Sequence, residues 1–166
     1  MNNMESSDNF IGISDDRLHH ILGVSRKAYK IAKSMGKDEY FCRRCFMLGW
    51  IHDVGYEFSK MQSEHSDISA QMFLSMSEDV VPSDLKRPFY KAIEEHGRYP
   101  SDMTDEYRIL NMADMLVDDK GNEVDVMQRL DGIKDKYGEY SDRYLTSCDI
   151  CYRIGLTAVN LAGNTY

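Results

Sequence analysis

Apolar residues recur at intervals of three and four along nearly the whole chain, and only Pro82, Pro88 and Pro100 stand against that rhythm. This is the period of a helix face, whereas the two-residue alternation of a half-buried strand is scarce. The pattern predicts an all-α protein of about seven helices in a single compact bundle. The first helix is expected over 15–35, opened by Ser14 as N-cap, with Ile21, Val24, Ala28, Ile31 and Met35 as its stripe and Gly36 as its stop. The second is expected over 37–54, with Phe46, Met47, Trp50 and Ile51 apolar and Gly55 ending it. The third starts near Ser63 and carries Ile68, Met72, Phe73 and Met76. The fourth runs from Ser83 to His96-Gly97, and Pro88 either kinks it or splits it in two. Three more are expected over 104–117, 123–137 and 141–161. No repeat or linker interrupts the pattern, so residues 1–12 read as a flexible lead-in and 13–166 as one domain with its C-terminal helices.

The bulk properties narrow the function. A chain of 166 residues with 42% hydrophobic and 29% charged residues can bury one real core. Its net charge of -8 argues against a grip on duplex nucleic acid, which rests on Lys and Arg neutralising phosphates. It leaves room for a small phosphorylated ligand, because a bound metal brings its own positive charge. There is no apolar run long enough to cross a membrane, and the polar Met1 to Asn9 lacks the layout of a signal peptide. No membrane association and a cytoplasmic location are therefore expected.

The four cysteines form Cys42-x-x-Cys45 and Cys148-x-x-Cys151. Both pairs fall in segments that read as helix, where i and i+3 share a face, so packing as reduced core cysteines is one reading and a zinc site the other. In the last helix, Leu145, Cys148, Tyr152, Leu156 and Val159 read as a packing stripe, within the domain or against a second copy in a homodimer.

The histidines are placed more tellingly. His20 borders the buried stripe of the first helix, with Arg17 one turn before it. His52 and Asp53 close the second helix, His65 opens the third and His96 closes the fourth. Asp114 sits among Ile109, Leu110, Met112, Ala113, Leu116 and Val117. A carboxylate buried there needs an Arg, a hydrogen-bond network or a metal. The alternative is an exposed face through Asn111, Asp114 and Asp118, just as His52-Asp53 taken alone could be a solvated helix end. Imidazole and carboxylate together are a natural ligand set for Zn, Mn, Fe or Co, and helix ends and inner faces are where a bundle builds such a centre.

The order of these residues and their local settings resemble the HD-domain superfamily of metal-dependent phosphohydrolases. Arg17-Leu18-His19-His20 with Val24 resembles its opening Arg-x-x-His helix, and that offset selects His20 over His19. Met47 to Gly55 resembles the apolar helix ending in His-Asp-Ile/Val-Gly, and His65 to Ala70 the start of the next helix. Ala92-Ile93-Glu94-Glu95-His96 and Ile109 to Asp114 resemble two later segments. The resemblance implies that His20, His52, Asp53 and Asp114 hold one metal, and that His65 and His96 hold a second. Asp53 would bridge both metals and the attacking hydroxide. It further implies Fe or Mn, with Zn, Co or Ni as alternatives, and hydrolysis of a phosphoester or phosphoanhydride of a nucleotide-like small molecule. A metal-stabilised, non-catalytic ligand-binding module is the other reading.

Relatives that keep these two extra histidines include the symmetrical diadenosine-tetraphosphate hydrolases and the cyclic-dinucleotide phosphodiesterases. The first usually carry a Lys soon after the His-Asp pair and a longer insertion before the next His, whereas Val54-Gly55-Tyr56-Glu57-Phe58 follows here. The second have adjacent histidines and a Gly-Tyr-Pro loop, where this chain has His96-Gly97-Arg98-Tyr99-Pro100. The motifs do not pick the nucleotide. Arg17, Lys60, Arg98 and Lys120 are candidates to meet a substrate phosphate, with a solvated surface cation as the other reading of each.

Overall fold

A computed structural model of the chain describes residues 9–77 and 83–156. It contains α1 (Asp15–Ser34), α2 (Glu39–Ile51), two short 3-10 turns (Val54–Phe58 and Gln62–Glu64), α3 (His65–Ser77), α4 (Ser83–Glu95), α5 (Asp105–Met115), α6 (Val126–Tyr137) and α7 (Asp142–Arg153). Among the described residues the one departure from helix and turn is an isolated antiparallel bridge between Val117 and Glu123. The fold is all-α.

Capping accounts for most boundaries. Ser14 accepts the Arg17 amide at 3.1 Å, as its position before the first stripe predicts. Asp38, Thr104, Asp125 and Ser141 cap α2, α5, α6 and α7 in the same way. The helix expected over 37–54 stops at Ile51, because Asp53 leaves the helical region at φ -112, ψ 1. The third helix begins at His65, since the Glu64 carboxylate turns back to the amides of Lys60 and Met61 and holds a 3-10 turn before it. α4 is a single helix with Pro88 inside it. Near the N-terminal end the missing N–H removes one bond to the first turn, which the helix tolerates. α6 begins three residues later than expected, because Asn122 to Val124 fold back on Leu116 to Asp118 in a tight turn. That turn needs Gly121 at φ +84, and a Cβ there would lie 2.3 Å from the His19 carbonyl oxygen.

The C-terminal helix is the largest correction. It ends at Arg153, followed by Ile154 and by Gly155 at φ +82. Leu145 and Tyr152 of the expected packing stripe are exposed, while Ser147, Ile150 and Cys151 face inward with Ile154 and Leu156. Leu156 of that stripe is buried and Cys148 packs partly buried against the core, so the inward face keeps part of the expected stripe. Val159 and residues 157–161 of the expected helix lie outside the described residues. At the other end, Ile11 and Gly12, the last residues of the expected lead-in, donate to the carbonyls of Ser59 and Tyr56.

The core joins Val24, Ala28 and Ile31 of α1 to Leu48 of α2, Phe73 of α3, Ile93 of α4 and Leu110 of α5. Helices meet most closely where small residues face one another. A Cβ on Gly49 would lie 2.6 Å from the Ser25 Cα, so the α1 and α2 backbones touch there. Met47 and Trp50, two of the apolar residues of α2, lie on its outer side, while Cys42, Cys45 and Leu48 face inward. The same holds in α3, where Ser66, Ser69 and Ala70 are buried and Met76 is exposed. A solvent-exposed Gly-to-Ala change in a helix stabilises by up to about 1 kcal/mol. Gly49→Ala is expected to do the reverse and lose about 1–3 kcal/mol through overpacking, read as a lower urea midpoint at unchanged slope.

Candidate metal centre

The end of α2 presents His52 and Asp53 to the interior, and three other elements bring histidines to meet them. The two oxygens of the Asp53 carboxylate face different partners. Oδ1 lies 3.3 Å from His65 Nε2 and 3.3 Å from His96 Nε2. Oδ2 lies 3.5 Å from His52 Nε2 and 3.8 Å from His20 Nε2. His20 Nε2 is also 3.0 Å from Asp114 Oδ1. Two groups able to hold a metal ion result, His20–His52–Asp53 and Asp53–His65–His96, and they share Asp53. Asp114 completes the first side through His20. All six residues are buried, His19 is exposed, and the exposed-face reading of Asp114 fails with Asn111 buried one turn before it.

The ring orientations are set by backbone carbonyls. The Nδ1 of His52, His65 and His96 contacts the carbonyl three residues earlier, on Gly49, Gln62 and Ile93. His20 Nδ1 contacts the Asp118 carbonyl at 2.8 Å. Carbonyls only accept, so every Nδ1 donates, and each ring turns its Nε2 toward a carboxylate. His65 Nε2 and His96 Nε2 lie 3.1 Å apart, a distance that requires a proton or a cation between them. His20 Nε2 and His52 Nε2 are buried without a hydrogen-bond partner. Orphaned imidazole nitrogens converging on carboxylates are the donor set of a metal centre, and these residues are suited to hold metal ions.

The charge states follow. Burial alone would raise Asp53, but the His52 ring, hydrogen bonds to His65 and His96, and the Arg17 guanidinium hold it well below the usual carboxylate range. Burial pushes His52 down to about 4 against the pull of Asp53. Burial would also lower His20, yet Asp114, 3.0 Å from its Nε2, and the charge of Asp53 raise it above the ordinary histidine value. Asp114 is held low, against burial, by His20 and then His52 and Arg129.

Several residues that position the centre were not legible as such. Tyr56 stacks on His65 with ring centroids 4.2 Å apart, and the Arg17 guanidinium lies over the Tyr56 ring, 4.4 Å from its centroid. Asn111 donates to the Tyr107 carbonyl and accepts the Gly97 amide, fixing the backbone just after His96. Gly55 donates to Ser69 Oγ, and a Cβ there would lie 2.1 Å from the His65 carbonyl oxygen. Of these, Gly55 was visible, as a helix stop; Tyr56 and Asn111 act through contacts that no spacing rule encodes.

A cleft of about 300 Å³ opens beside the centre, with Arg17 and Tyr56 on the wall nearest Asp53 and His65. Of the four phosphate candidates, Arg17 and Lys120 line it. Arg17 Nη1 sits 2.7 Å from Asp53 Oδ2. Lys60 and Arg98 do not line it: Lys60 lies near the Phe10 ring, and Arg98 is bonded to Asp67 and the Ser63 carbonyl. Local partners nearer than the cleft hold these two long side chains. The cysteines are core residues, all free, and none joins a metal-holding group among the described residues. Burial pushes both Cys45 and Cys151 up to about 12, which keeps them as thiols.

The family model of the HD domain matches residues 17–117, and the chain belongs to that family. The match spans Arg17 through Asp114 and so contains every residue of the cluster. Neither the curated proteins nor the solved structures yielded a match.

Metal binding must displace the proton that the raised His20 retains. Below that raised value protons compete with the ion; above it the ring is already free. The affinity of the metal-stripped chain for Mn is therefore expected to rise by up to about tenfold per pH unit for each proton displaced, from about pH 5, and then to level off. Titrations across that range check it, and a flat profile would contradict the assigned charge states.

Proposed function

We propose that this protein is a metal-dependent phosphohydrolase that cleaves a phosphoester or phosphoanhydride of a nucleotide-like small molecule, using two divalent ions, iron or manganese, per chain. The HD family match and the buried His/Asp cluster fit a metal-dependent phosphohydrolase. The observation that carries the two-ion reading is the division of Asp53: one carboxylate oxygen faces His20 and His52, the other His65 and His96. When bound, a pair of such ions supplies Lewis-acid charge and a water acidic enough to attack phosphorus near neutral pH.

The chain's own groups have definable tasks. Asp53 holds both halves of the site together. The carbonyls of Gly49, Gln62, Ile93 and Asp118 hold the four imidazoles with Nε2 inward. Asp114 sets His20. Arg17 reaches from the cleft wall to Asp53, which places a guanidinium where a phosphate oxygen would enter. In the overall reaction water adds to phosphorus, the bond to the leaving oxygen breaks, and that oxygen takes up a proton.

The test is metal content and turnover on protein purified without chelator or affinity histidines. Wild type is expected to hold about two ions per chain and to hydrolyse members of a nucleotide panel with Mn or Fe. Asp53→Ala is expected to lose metal and turnover together, and His65→Ala or His96→Ala to retain about one ion. If wild type holds about one ion and those two histidine variants keep both that content and the rate, the site is mononuclear. Metal bound without hydrolysis of any panel member would identify a non-catalytic ligand-binding module instead.

A further inference from the structure

We propose that α6 and α7 build a second phosphate subsite beside the metal centre, so that the ligand of this protein carries two or more linked phosphates, an oligophosphate rather than a simple monoester. The inference rests on the reading of the cluster as a phosphohydrolase centre, and it concerns residues outside the segment that defines the family. Arg17 excepted, the basic side chains lining the cleft lie beyond residue 117: Lys120, Arg129, Lys136 and Arg143.

The cleft runs against the chain's overall charge. A protein of net charge -8 gathers five basic side chains on one concave surface, with Asp118 and Asp119 as the acidic residues among them. Those two are already engaged. Asp118 accepts the Lys120 and Asn122 amides within its own turn, and Asp119 pairs with Arg129 at 2.7 Å and Lys136 at 3.9 Å. Among the described residues no carboxylate pairs with Arg143 or Lys120. Surplus positive charge thus converges on a cleft whose wall is shared with the metal centre.

Geometry ties the two guanidinium groups to opposite flanks of the centre. Arg129 Nη2 lies 4.0 Å from Asp114 Oδ1, on the His20 side. Arg143 approaches Gly97, directly after His96, with Nη1 3.5 Å from where a Gly97 Cβ would stand. Both Nε–H groups are buried without a hydrogen-bond partner. Both side chains line the concave space, and the forked N–H geometry that Arg presents is suited to the oxygens of a phosphate. One phosphoryl group held at the metal centre would leave them unmatched. A phosphate chain continuing into the cleft would meet Lys120, Lys136 and Arg143 along its lining.

Inorganic tripolyphosphate and inorganic phosphate, titrated calorimetrically into the full-length, metal-stripped chain in chelator, test this without reference to turnover. Tripolyphosphate is expected to bind at least about tenfold tighter than phosphate, and Arg143→Gln and Lys136→Gln each to weaken it by about tenfold. Arg143→Lys should recover part of the loss. Lys91→Gln, which removes a cation paired with Glu94 away from the cleft, should leave binding unchanged. Circular dichroism verifies that each variant is folded. Tripolyphosphate binding no tighter than phosphate, or an equal loss in Lys91→Gln, overturns the subsite even if the wild type proves to be a phosphohydrolase. Conversely, selective loss in the cleft variants upholds the subsite even if the chain loaded with Mn hydrolyses nothing.

Discussion

The structure is organised around one carboxylate that ought not to be where it is. Asp53 is buried at the end of α2 among four imidazoles. An uncompensated charge in that position costs several kcal/mol in practice. It persists because everything around it is arranged for it. Arg17 reaches it from α1, two histidines face each of its oxygens, and the backbone turns out of α2 to aim it. The rest of the domain can be understood as the scaffold that holds those partners within reach.

That scaffold uses the polar ends of helices. His52 and His96 close α2 and α4, His65 opens α3, and each bonds the carbonyl three residues before it. A carbonyl in the last turn of a helix has no helical partner of its own, so those of Gly49 and Ile93 are free to orient a ring, while Gln62 lies in the 3-10 turn before α3. His20 differs, because it lies within α1 and takes its carbonyl from the Asp118 turn instead. The tight turn at Gly121 and its close approach to His19 bring that carbonyl into place. Packing enforces the same geometry: Gly49 lets α1 and α2 touch, and Gly55 leaves room for the start of α3.

The cleft adds a second tier. α6 and α7 carry a basic lining to a centre assembled from α1 to α5, so the part of the chain with no recognisable motif touches the part that has one. Tyr56 joins the two, stacked on His65 within and lying under Arg17 at the cleft wall. The phosphohydrolase reading draws on the inner tier, and the oligophosphate reading on the outer.

Much of this was legible in the chain itself. The three-and-four periodicity fixed an all-α fold, Ser14 and Gly36 marked the limits of α1, and the six ligand candidates stood out by order and context. Local signals sufficed there because caps, stops and helix ends are short-range features. What lay beyond their reach was where side chains meet. Met47 and Trp50 are apolar yet exposed, while the face of α2 that touches α1 carries Gly49. Lys60 and Arg98 follow ligands in sequence yet turn to nearer partners, while Arg129 and Arg143, remote in sequence, arrive at the cleft. The sequence by itself determined the helices and named the candidate ligands. Only the tertiary structure decided that Asp53 divides its two oxygens between two histidine pairs, and which cations face the cleft. Both depend on the angles at which separate helices pack, and those are set by contacts between residues far apart along the chain.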